Sequence, residues 1–218
     1  MSMAMPEKIT CPKCGKEFEF TMWSSFNADV SKGWLDKFLS GEIFRFTCPH
    51  CGEVTNILYP MLYHDMHNKL MISYGARSGE KYQEEALEAS DLFLSMGYKY
   101  RMVEEVEDLL EKALIFQEGF DDRTIEILKC VTLGNILHEH PDANIKDAKF
   151  FKDEDGYHFI FRGDLTLMAN PTKDKIDEAH TAFSHFYKDG KDGDYIVNQE
   201  WAENILRLFT SEEPKLKQ

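Results

Sequence analysis

Apolar and polar residues alternate along "KEFEFTMW" (16–23), a period of two that predicts a strand with one face buried. "DVSKGWLDKFLSG" (29–41) changes to a helical period, with Asp29 or Ser31 placed to cap the start and Gly41 past the end. "EIFRFT" (42–47) alternates again and predicts a returning strand. "EVTNILYPMLYHDMHNKLMISYGA" (53–76) reads as two strands joined near "HDMHNK". Pro60 lacks a ladder donor, so it is expected at an edge or a bulge.

From Glu80 a helical period takes over. "KYQEEALEASDLFLSMG" places Tyr82, Leu87 and Leu92–Leu94 along one broad side and stops at Gly97. "MVEEVEDLLEKALIFQEG" lines Val103, Val106, Leu109, Leu110, Ala113 and Leu114 on one stripe and stops at Gly119. "DDRTIEILKCVTLGNILHEH" follows, with Asp121 as its cap and Pro141 beyond its end. In "AKFFKDEDGYHFIFRGD", Asp155-Gly156 is a turn signal between two aromatic-rich strands. Two more helices are read in "NPTKDKIDEAHTAFSHFYKDG", with Pro171 near its start, and in "NQEWAENILRLFTSEE", capped at Asn198 or by the turn before Asn204, with Trp201, Ile205, Leu206 and Phe209 inward. The sum is an α+β fold: a zinc-ribbon-like antiparallel β part with an inserted short helix, then a mainly helical region containing a β-hairpin. Its expected divisions are residues 1–79, 80–140 and 141–218.

Charge sharpens this division. Residues 1–79 hold eight Lys/Arg and eight Asp/Glu, whereas residues 80–218 hold seventeen and thirty-one and carry the whole formal charge of −14. Such a surface repels nucleic acid over most of its extent. The acid-rich helices over 80–140 are read as having solvated faces. No apolar run approaches the roughly 20 residues that span a bilayer, and "MSMAMPEKIT" lacks the basic-then-apolar order of a signal peptide, so a cytoplasmic location and no membrane partner are expected.

Cysteine is sparse and paired. Cys11 and Cys14 lie in "CPKCG", Cys48 and Cys51 in "CPHCG". The two-residue spacer lets both sulfurs of a pair face one point from a tight turn. Pro12 and Pro49 fix φ after the first sulfur, and Gly15 and Gly52 allow positive φ after the second. Two such knuckles supply a closed tetrahedral shell for a structural Zn²⁺, with iron the main other metal for four sulfurs. Two disulfides suit a reducing compartment poorly, and a redox C-x-x-C ordinarily occurs once, at a helix start. His50, inside the second knuckle, is read as pointing to solvent, and Cys130 as a small buried hydrophobe. His64 and His67, around Asp65, are read as exposed turn residues; "HEH" at 138–140 lacks metalloprotease spacing, and "DGKDGD" (189–194) is a turn rather than a calcium loop.

"CPKCGKEFEF…WSSFNADV…GEIFRFTCPHCGE…YPMLYHDMHNKLMI", together with "RMVEEVEDLLEKALIFQEGFDDRTIEILK", resembles the CpXC family over roughly residues 11–135. The resemblance implies a bacterial or archaeal source and Cys11, Cys14, Cys48 and Cys51 as metal ligands. It implies no catalytic residues, and residues 136–218 find no support in it.

The reading drawn from these features is a non-enzymatic zinc protein whose remaining surface binds another protein or a second copy of itself. One alternative is an enzyme using His64, His67, His158 or His185 in a groove between the β and helical parts. A weaker alternative is nucleic-acid binding through the uncharged N-terminal part.

Overall fold

A computed structural model describes residues 2–75, 80–187 and 194–212. The chain forms two compact units, Met1–Ala113 with Lys191–Tyr195, and Leu114–Gly190 with Ile196–Gln218.

The first unit opens with β1 (Met3–Thr10) and β2 (Glu17–Asn27), an antiparallel hairpin in register from Ala4↔Trp23 to Thr10↔Glu17. A 3₁₀ turn at Lys32–Trp34 leads into the five-residue α1 (Leu35–Leu39). Neither Asp29 nor Ser31 caps it with a side chain; the Asp29 carboxylate instead accepts from the Met66 and His67 N–H groups at 2.7 and 3.3 Å. The return strand is shorter than the alternation predicts: Glu42–Phe44 is a 3₁₀ turn, and β3 (Arg45–Thr47) pairs with β4 (Val54–Asn56) as a separate two-stranded sheet. Next come β5 (Met61–Asp65), β6 (Leu70–Tyr74), α2 (Glu80–Ser95), β7 (Lys99–Val103) and the first part of α3 (Val106–Gln117), whose residues from Leu114 on belong to the second unit. Pro60 stands just before β5, outside the ladder, where its missing N–H costs no strand bond.

The main sheet of this unit has the order β1-β2-β5-β6-β7. It is mixed rather than antiparallel, because β2 runs parallel to β5 and β6 parallel to β7. β7 occupies residues that the helical period assigns to α3. Val103 is buried in that strand, and α3 starts at Val106. Behind the sheet Phe38 of α1 is fully buried, its ring 4.6 Å from Phe26 and 4.9 Å from Tyr63 between centroids. On α2 the inward face carries Ala89, Ser90 and Phe93, while Leu87 and Leu92 are exposed. The side chain of Tyr82 lies outside the described ones, as does that of Phe209 on α6 and most of 189–194.

The second unit holds α4 (Asp122–Glu139), β8 (Ile145–Asp153), β9 (Gly156–Gly163), β10 (Thr166–Ala169), α5 (Lys173–Phe183) and α6 (Gln199–Glu212). β8 and β9 form the hairpin about Asp155-Gly156, and β10 adds to β9 to give a three-stranded antiparallel sheet. Ile115, Phe120, Ile125, Phe150, Phe159, Phe161 and Ile176 form its core. Asp121 caps α4 by accepting from the Arg123 N–H, and Asn198 caps α6 by accepting from the Trp201 N–H. The solvated-face reading fails over the first turns of α4, where Asp122, Arg123, Glu126 and Lys129 are all buried. Arg123 is held bidentately by Asp121, and Lys129 is paired with Glu126 at 3.0 Å, so these charges are buried together with their partners.

Candidate metal centre

The four cysteines sit at the tips of two hairpins. Cys11 and Cys14 occupy the turn between β1 and β2; Cys48 and Cys51 occupy the turn between β3 and β4. The two turns fold in the same way. Gly15 N–H donates to Cys11 O at 3.0 Å and Gly52 N–H to Cys48 O at 2.9 Å. Cys11 N–H donates to Lys16 O, and Cys48 N–H to Glu53 O. Both glycines take the left-handed conformation that closes the turn, with φ of +69° and +72°. Each knuckle is thereby fixed by its own backbone.

Long-range packing then brings the tips together. Phe18 of β2 stacks on Phe46 of β3 with centroids 3.4 Å apart, and Phe20 meets the same ring edge-on at 6.2 Å. Cys11, Phe46 and Cys48 are buried together against Phe18, Phe20 and Ile57. Lys13 of one knuckle donates to Glu53 of the other at 2.8 Å, an exposed ion pair across the tips.

All four Sγ atoms lie within 4.8 Å of one another, and Cys11–Cys51 and Cys14–Cys48 are each 3.7 Å apart. A metal–sulfur bond of about 2.3 Å in tetrahedral geometry sets sulfurs about 3.8 Å apart. The two short edges, both between knuckles, match that figure, and the donor set is sulfur alone. The cluster is therefore suited to a metal ion. Four thiols this close do not ionise alike. The Cys14 N–H draws the Cys11 thiol down to about 7. At Cys51 the Glu53 N–H favours the thiolate, but desolvation and the neighbouring sulfurs outweigh it and push the thiol up to about 12. A cation placed among them removes the conflict by stabilising every thiolate at once.

Among the described residues this is the one group of three or more Cys, His, Asp or Glu side chains arranged to hold a metal. His50 is exposed beside it and His67 is exposed on the β5–β6 turn. His64 departs from expectation: it belongs to β5, is half-buried, and contacts Asn27 Nδ2 at 3.0 Å and Tyr98 Oη at 3.3 Å. His158 is buried between Asp153 at 2.7 Å and Asn170 at 2.8 Å, and His185 is exposed against Phe186. Cys130 packs beside Ile127, Tyr187 and Ala202, and burial pushes its thiol up to about 11. The Lys13–Glu53 pair and the Phe18–Phe46 stack have no sequence signal, since each joins residues that only the closed centre makes neighbours.

Two knuckle-tipped hairpins converging on four sulfurs define a paired Cys-Pro-x-Cys metal-site domain. The family model described as CpXC protein matches residues 9–129, more than half of the chain, and the chain belongs to the CpXC family. No curated protein and no solved structure matches it.

Proposed function

We propose that Cys11, Cys14, Cys48 and Cys51 hold one structural Zn²⁺, and that the protein acts in the cytoplasm by binding another protein or a second copy of itself rather than by catalysis. The observation that carries the metal assignment is the pair of 3.7 Å sulfur–sulfur edges between knuckles. Thiolates alone suit zinc, and a reducing compartment keeps them available. A closed four-sulfur shell leaves no coordination position for a water or substrate, so the ion organises the hairpins instead of reacting.

The binding role is supported by what the first unit exposes. Val30, Trp34 and Met66 stand out to solvent around the loop after β2, where Asp29 ties that loop to the β5–β6 turn. Aromatic and methionine side chains of this kind are enriched at protein interfaces. The formal charge of −14 disfavours a polyanionic partner.

Elemental analysis of the purified full chain tests the first part: one zinc per chain is expected, with Cys48→Ser losing it. Stoichiometric iron, or no metal in a folded sample, overturns the assignment. Affinity capture with sedimentation analysis tests the second. A reproducible protein complex or dimer weakened by Trp34→Ala supports it, and turnover of a small substrate by a monomer with no partner overturns it.

A further inference from the structure

The junction between the first knuckle hairpin and the rest of its sheet is narrow. Among the described residues β2 meets β5 through three pairs, Ser25↔Leu62, Phe26↔Tyr63 and Asn27↔His64. The last pair is also joined through side chains, and the surroundings fix which atom donates. Asn27 is fully buried, and its Oδ1 accepts from the Asp29 and Val30 N–H groups at 3.1 and 3.0 Å. Backbone N–H groups only donate, so the amide cannot be turned over without facing two donors. Its Nδ2 must therefore donate to His64 Nδ1 at 3.0 Å. That nitrogen is then the unprotonated one, and Nε2 carries the proton toward Tyr98 Oη at 3.3 Å.

We propose that His64 is a pH-sensitive latch: as the neutral Nε2–H tautomer it accepts from Asn27 and secures the end of the β2–β5 junction, and on protonation at Nδ1 it sets donor against donor and releases that end. The Asn27 amide cannot relieve the clash by flipping, because two backbone donors hold its oxygen. The segment that loosens is the start of Asn27–Ser31, at the His64 contact; the segment keeps Ala28 N–H on His64 O and Ser31 N–H on Asn27 O, both at 2.9 Å, the Asp29 carboxylate on the Met66 and His67 N–H groups, and Ser2 Oγ on Asn27 N–H and Ser31 Oγ.

The influences on the imidazole oppose one another. Desolvation holds the proton off; Asp29, on the loop, and Asp65, next along β5, draw it on. Tyr98 meets the ring from the approach to β7, and the residue opposite on β6 is the uncharged Met71. The balance lies below the ordinary histidine value of 6.5. A base with a lowered folded pKa binds fewer protons folded than unfolded, so the junction loses stability as pH falls below about 6.5.

Nitrogen-15 resonances of the His64 ring in the unmodified full chain, followed from pH 8 to 5, test this without any variant. The expected result is an acceptor Nδ1 and a protonated Nε2 at pH 7.5. Amide exchange at Asp29 and Val30, corrected for the intrinsic rate, should become about tenfold faster relative to the main sheet at pH 5.5, the size of one lost hydrogen bond. His64→Gln, which offers an acceptor that does not titrate, should abolish the pH dependence. Asn27→Asp, whose carboxylate welcomes an imidazolium, should move the His64 titration upward. A protonated Nδ1 at pH 7.5, or equal corrected exchange at the two pH values, overturns the proposal.

Discussion

Phe38 sits between Phe26 and Tyr63 with no solvent exposure, on a helix of only five residues. Its ring, not the helix, holds that segment in place. Phe38→Ala should cost about 3–5 kcal/mol, read as a lowered urea midpoint at unchanged slope. His158 offers a test of opposite sign to His64. Its hydrogen bonds to Asn170 and Asp153 raise its pKa above 6.5, and the bond to His158 lowers that of Asp153 below 3.8. The histidine's contribution is complete below pH 6.5 and is lost as pH rises through the raised value. The carboxylate's is complete above pH 3.8 and is lost as pH falls through the lowered one. The stability difference between the protein and His158→Gln should thus be larger at pH 5.5 than at 8.5; an equal difference would remove the ion pair from the account. At this scale the sequence was legible where chemistry is written into spacing, as in the two Cys-Pro-x-Cys units. It was mute on Asn27 and His64, whose partnership depends on a parallel strand pairing that no local pattern announces.

The knuckles, as elements, depend on backbone geometry. Gly15 and Gly52 have positive φ but open space where a Cβ would stand. Replacing either by Ala should cost about 1 kcal/mol, from conformational strain alone. Gly41 combines φ of +71° with Leu110 Cδ1 only 3.2 Å from a Cβ position, so Gly41→Ala should cost more than either; thermal melts of the three variants would rank them. Lys13→Ala should leave the melting temperature almost unchanged, because its pair with Glu53 is exposed and screened by solvent. The long amphipathic helices and the Asp155-Gly156 hairpin were readable from period and turn chemistry. Three strands were not. β1 is exposed along most of its length and carries Pro6, so it has no alternation to read. β7 is buried almost throughout, and its Met102 and Val103 continue the apolar spacing of the following helix. β10 spans four residues, too few to show a period.

For the whole molecule, the proposed zinc centre and the core of the second unit answer to different forces. The core of the second unit, around Phe150, Phe159 and Phe161, contains none of the four clustered cysteines. Structural zinc supplies about 10–16 kcal/mol to small peptides, more than an ordinary domain's net stability. Chelation should therefore expose β1–β2 and β3–β4 to amide exchange while β8–β10 stays protected. Uniform loss across both would show that the ion supports the entire chain.

β7 ends the main sheet on one side. Met102 N–H donates to Tyr195 O at 2.7 Å, and Arg101 donates to Asp194 O at 2.7 Å, so a piece of chain more than ninety residues downstream finishes the first unit. During synthesis, the amino-terminal body keeps that flank unsealed until residues 194 and 195 have emerged, long after both knuckles are made. A fragment ended at Ala113 would keep that raw flank for good.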